Sequence, residues 1–215
     1  MSGGRGVEPL REALELVGRS DLAERCEGVS RLASHAGEDA THALVALLEE
    51  PSWYLRDRVV EALAERVGAS AAILRVLHQG SWFARASACD ALGRLAEPES
   101  LPHLLRQAED RNVSVQKSAV AALVRVAGEA GDGPVARAIA ALPAERRRRV
   151  TARIGHQAPR WIDELNEALA KLPAEAFAAA TPAPAPVSGP AAGSDASTLV
   201  RFRKWLAGLP VGEGS

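Results

Sequence analysis

Apolar residues recur along this chain at helical spacing, and the spacing itself repeats. Leu32, Leu63, Leu92, Leu123 and Ile154 mark the repeat, with steps of 31, 29, 31 and 31 residues. Four and three positions before each marker stand Gly28 and Val29, Val59 and Val60, Ala88 and Cys89, Ala119 and Val120, and Val150 and Thr151. Positions −4, −3 and 0 share one face of a helix, so each phrase predicts a helix with a single buried stripe. Five residues after the marker come Gly37, Gly68, Glu97, Gly128 and Pro159. Glycine closes a helix in the left-handed conformation and proline blocks its continuation, so the helices are predicted to end there. A second apolar run follows each end, at 42–48, 71–77, 101–108, 134–142 and 161–172. The chain thus divides into five helix–turn–helix units, at about 20–50, 51–80, 81–110, 111–142 and 143–172. One such pair cannot bury its own apolar face, so successive pairs must stack.

The flanks follow other patterns. Within 1–19, Leu10, Leu14 and Val17 fall at i, i+4 and i+7, which predicts a short helix capping the open end of the stack. Residues 173–197 carry the end of the last helix and a Pro/Ala/Gly/Ser-rich stretch that has nothing to pack, so it is read as a linker. Residues 198–210 place Leu199, Phe202 and Leu206 on one helical face, with Arg201, Arg203 and Lys204 between, and 211–215 form a tail. This segment is expected to be a tethered amphipathic helix.

Composition supports an all-helical soluble chain. Of 215 residues, 47% are hydrophobic, 25% charged and only 4% aromatic, and about a fifth are alanine, the strongest helix former. A net charge of −1 gives no global electrostatic case for nucleic acid or membrane. Arginine greatly outnumbers lysine, a bias associated with bacterial sources. Cys26 and Cys89 stand inside apolar helical patterns and read as small core residues, not a disulfide or zinc pair. No hydrophobic signal region or run of membrane-spanning length occurs, so the expected location is cytoplasmic.

Two phrases, EEPSWYLRDRVVEALAERVG and EDRNVSVQKSAVAALVRVAG, resemble HEAT repeats in the short form common in bacterial proteins. The resemblance rests on an acidic residue, an apolar–Arg pair and an Ala/Leu core. Glu50, Leu55 and Arg56 supply the first two in unit two, and Asp110 and Val115 in unit four, where Gln116 replaces arginine. Unit three keeps Arg85, and units one and five diverge as terminal repeats do. The resemblance covers about 20–172 and implies an all-α right-handed superhelix, or solenoid, whose second helices line a concave face.

Nothing in the pattern gathers catalytic groups. His35, His42, His78, His103 and His156 fall in no common column, and no H-E-x-x-H or Cys/His cluster occurs. The chain is therefore read as a non-enzyme with no catalytic residue, metal site or cofactor. A bilin-lyase-type, chromophore-handling role is a third-ranked reading that rests on the repeat resemblance alone.

Binding surfaces are the sharper candidates. Trp53 and Tyr54, and Trp82 and Phe83, occupy equivalent places 29 residues apart, and neighbours on a helix cannot both face the core. Val113 and Ala144 stand where these tryptophans stand, so the repeat does not require Trp. Arg25, Arg56, Arg85 and Arg147, with Gln116, form a column whose recurrence argues for architecture. The second helices carry His42, Arg75, His103, Arg106 and Arg137, a mildly basic set that the resemblance puts on the concave face. Phe202, Trp205 and Leu206 give the terminal helix an apolar docking face. The reading is a protein–protein interaction scaffold or adaptor with one or more protein partners. The weaker alternative is nucleic-acid binding through Arg146–Arg149, and 198–210 also has the makings of weak peripheral membrane contact. The sequence leaves the oligomeric state open.

Overall fold

The computed structural model describes residues 7–177. Among these, every regular element is helical. The order is α1 (Val7–Val17), α2 (Leu22–Ser34), α3 (Glu38–Ala46), α4 (Trp53–Ala64), α5 (Ser70–Gln79) and α6 (Trp82–Leu95). It continues with α7 (Leu101–Gln107), α8 (Val113–Ala130), α9 (Asp132–Ala140), α10 (Ala144–Gln157) and α11 (Ile162–Ala170). Short 3-10 turns follow α3, precede α7 and close the described chain at Ala174–Phe177. The linker and the 198–210 segment lie outside the described residues.

Each predicted unit is a helix pair, and the pairs form two layers. The first helices α2, α4, α6, α8 and α10 touch one another in chain order, and the second helices α3, α5, α7, α9 and α11 do the same. The predicted stripes are the core between the layers. Val29, Val60, Cys89 and Val120 are buried, as are Leu32, Leu63, Leu92, Leu123 and Ile154. Helix α1 packs on α2, where a side chain at Gly28 would meet the Val17 backbone nitrogen at 2.7 Å.

Four first helices start at a side-chain cap. Asp21, Ser52, Ser81 and Asn112 accept backbone N–H bonds from Glu24, Leu55, Ala84 and Ser114 respectively. Each cap satisfies a donor that the helix cannot. Helices α2 and α4 end ahead of the predicted glycines, at Ser34 and Ala64, and Gly37 and Gly68, both at positive φ, instead turn the chain toward α3 and α5. Two further ends differ. Ala96, at φ 53, turns the chain one residue before Glu97. Gly128 lies inside α8, which runs three residues past its predicted end to stop before Gly131, at φ 79. Val126 and Ala127 are buried, so packing carries the helix through Gly128.

The column seven residues before each marker ties successive elements together. Arg25 donates to Val17 O, Arg56 to Glu50 O, Arg85 to Gly80 O, Gln116 to Asp110 O and Arg147 to Ala140 O. Each donor thus reaches a carbonyl at or near the end of the preceding helix, where no intrahelical partner exists. Arg25 also pairs with buried Glu50 at 2.5 Å. The column is architectural, as its period implied.

Candidate functional site

The residue after each cap is the first of its helix: Leu22, Trp53, Trp82, Val113 and Ala144. It stands seven residues before the buried −3 position, so it lies on nearly the same stripe. The core ends before it does. Leu22, Trp53, Trp82 and Val113 are 43%, 71%, 49% and 59% exposed. Four of the seven large apolar side chains left exposed among the described residues therefore fall in one column. The layer of first helices arranges that column as a ridge.

The two tryptophans are the ridge's main area. Trp53 packs edge-on against Tyr54, with centroids 5.8 Å apart, and Trp82 against Phe83 at 5.7 Å. Tyr54 is exposed and lies under the Arg58 guanidinium. Phe83 is half-buried over Arg56, at 4.8 Å, so it is held in place from the neighbouring unit. Trp53, Tyr54, Trp82 and Phe83 thus lie along one amphipathic strip, joined across units by the Arg56–Phe83 contact. Sequence reasoning found the aromatics and missed Leu22. The caps Asp21, Ser52, Ser81 and Asn112, each one residue ahead, were the available signal.

The second helices gather part of the predicted groove. His42, Arg75 and His103 line one cleft of about 1010 Å³ with Glu38, Thr41 and Arg66. Arg106 lines a neighbouring cleft with His78, and Arg137 is exposed on α9 and lines neither. His78 Nε2 and His103 Nδ1 are 3.3 Å apart. Burial, then the charge of Arg106, holds both imidazoles below their ordinary pKa, and His103 adds to the effect on His78. The pair is therefore neutral at pH 7, with one ring donating to the other.

The Arg146–Arg149 run is largely committed. Glu109 holds Arg146 at 2.7 Å and Arg149 at 3.0 Å. Glu145 sits 3.8 Å from both Arg148 and Arg149, and Arg147 caps Ala140 and Leu142. Between α8 and α10 a cleft of about 1220 Å³ has an apolar floor of Val113, Val120 and Val124 and a rim including Lys117, Arg125, Arg149 and Arg153.

Among the described residues no group of three or more His, Cys, Asp or Glu side chains is placed to hold a metal ion. Cys89 is buried, which pushes its thiol pKa up and leaves it no nucleophile, while Cys26 is half-buried and free. Among the described residues no helix is long and apolar enough to cross a membrane. Phe202, Trp205 and Leu206 lie outside the described residues. No protein-family model and no curated protein matches the chain.

Proposed function

We propose that this chain is a non-catalytic scaffold or adaptor, built as a right-handed HEAT-like solenoid, that binds a partner protein along its aromatic ridge. The observation that carries the reading is the exposed strip of Trp53, Tyr54 and Trp82, fixed at successive helix starts by caps and by the Arg56–Phe83 contact. Rigid aromatic side chains supply large contact area at little cost in conformational entropy and are enriched in interface hot spots. The cleft of His42, Arg75 and His103 is a second surface on the opposite layer, where Arg75 offers a positive charge to an acidic segment. Extended repeat surfaces serve such binding because each unit adds contact area without changing the others.

Affinity purification of the full chain beside a Trp53→Ala/Trp82→Ala variant tests the proposal. Loss of a specifically recovered protein, with the variant's circular dichroism and melting unchanged, supports it. Identical recovery removes the ridge as the binding face. The nucleic-acid reading has less support, because Glu109 and Glu145 already occupy three of the four arginines in the run.

A further inference from the structure

The described chain ends in a telling place. Phe177 lies over the Arg147 guanidinium at 5.1 Å, as Phe83 lies over Arg56 at 4.8 Å. Phe83 is the second residue of its helix, next to Trp82. Phe177 therefore stands where the second residue of a sixth first helix would stand, and the chain leaves the described region at the end of the ridge. Beyond it lie twenty residues, 178–197, and then the segment 198–210.

We infer that the occupant of the ridge is segment 198–210 of the same chain, laid across Trp53, Trp82 and Val113. The inference rests on the reading of the ridge as a docking surface. Reach, pitch and charge support it. A random-coil chain of twenty residues has a root-mean-square span of about 25 Å. Neighbouring helices lie about 8–10 Å apart, so Trp82, three helices back, is about 24–30 Å from the exit and Trp53, four helices back, about 32–40 Å, both inside the roughly 66 Å that twenty extended residues can reach. Leu199 and Leu206, like Phe202 and Leu209, are seven residues apart, which on a helix is about 10 Å, the pitch of the ridge. Arg201, Arg203 and Lys204 would meet Asp57 and Glu61, which follow Trp53 at i+4 and i+8, are 51% and 47% exposed, and pair with Arg94 at 3.8 Å and Arg58 at 3.3 Å, surface contacts weak enough to be exchanged. Docked in this way, the tail competes with any partner for the same tryptophans.

A nitroxide placed on the full chain tests the contact. Ala207→Cys is labelled in a Cys26→Ser background, and indole N–H signals of Trp53, Trp82 and Trp161 are followed by NMR. Trp161 is buried and bonded to Asp132, so it is the internal control. Trp53 and Trp82 should lose intensity roughly fivefold or more relative to Trp161, as a tether-set millimolar effective concentration implies. Phe202→Glu/Leu206→Glu should restore them. Unbroadened Trp53 and Trp82 signals overturn the inference. So does broadening that appears only between labelled and unlabelled chains in a mixture, which would make the contact intermolecular. If broadening is seen while the Trp53→Ala/Trp82→Ala purification shows no lost partner, the tail contact stands and the adaptor reading falls.

Discussion

Gly93 on α6 lies so close to Ala122 on α8 that a Cβ added to it would sit 2.6 Å from the Ala122 Cα and 2.7 Å from its Cβ. No side chain reaches between the two backbones at this point. The third and fourth units consequently pack backbone to backbone near the end of α6. Gly93→Ala should therefore destabilise the fold. Overpacking costs about 1–3 kcal/mol, against about 1 kcal/mol gained in helix propensity, so the net loss should be about 1 kcal/mol. Gly128, inside α8 with nothing within 4 Å of an added Cβ, is the control. Gly128→Ala should stabilise by about 0.5–1 kcal/mol. Urea midpoints at unchanged slope check both signs.

Arg66 holds two units together from one side chain. It donates to Thr41 Oγ1 and to the carbonyls of Leu32, Ala33 and His35, which close the end of α2. Arg66→Ala should cost about 2–3 kcal/mol by leaving those carbonyls short of donors. Arg66→Lys should recover less than half of that loss, because an ammonium cannot match the fork. Thermal melts of the three proteins decide it.

Arg85 and Asp110 form a two-bonded ion pair, 2.9 Å at both contacts, with little exposure on either side. Burial alone would raise the Asp110 pKa. The bonds from Arg85 and the Asn112 N–H and the charges of Arg85 and Arg111 outweigh it and hold the pKa below the ordinary 3.8. A depressed folded pKa contributes stability that is present above the unfolded value and lost as pH falls through the folded one. Asp110→Asn should therefore flatten the acid limb of stability below about pH 4. Arg85→Ala should cost about 3 kcal/mol at neutral pH, since it strands a buried carboxylate. Denaturation midpoints taken across the acid range measure the first effect.

The His78–His103 pair titrates in the same direction for a different reason. Both pKa values lie below the ordinary 6.5 because burial and Arg106 oppose the cation. The unfolded chain then takes up protons first, so stability present above pH 6.5 declines as pH falls from there toward the folded values. Replacing His103 by Gln should reduce this decline, seen as a smaller gap between melting temperatures at about pH 7.5 and about pH 5.

Glu109 should govern any polyanion affinity of the arginine run. The wild-type chain should leave heparin at low salt, and Glu109→Gln should shift elution to higher salt by releasing Arg146 and Arg149. Strong wild-type retention that falls steeply with salt would instead favour the nucleic-acid reading.

The sequence by itself determined the helices and their stripes. Leu63 and Val60 on one unit, and Leu123 and Val120 on another, are buried because residues three apart share a helix face whatever the helix packs against. It also determined that arginines in a fixed column serve the repeat, and that Trp53 and Trp82 exceed what the repeat needs. Tertiary structure alone decided how far the core extends. A stripe predicts which face turns inward, not where the neighbouring layer stops, so the exposure of Leu22 and Val113 was not legible in their residue types. The same holds for the meeting of Gly93 with Ala122, and for the carbonyls shared by Arg66 and the arginines clamped by Glu109, which lie 37 and 40 residues away. Local spacing fixes the conformation of each helix, whereas these contacts depend on how the layers come together.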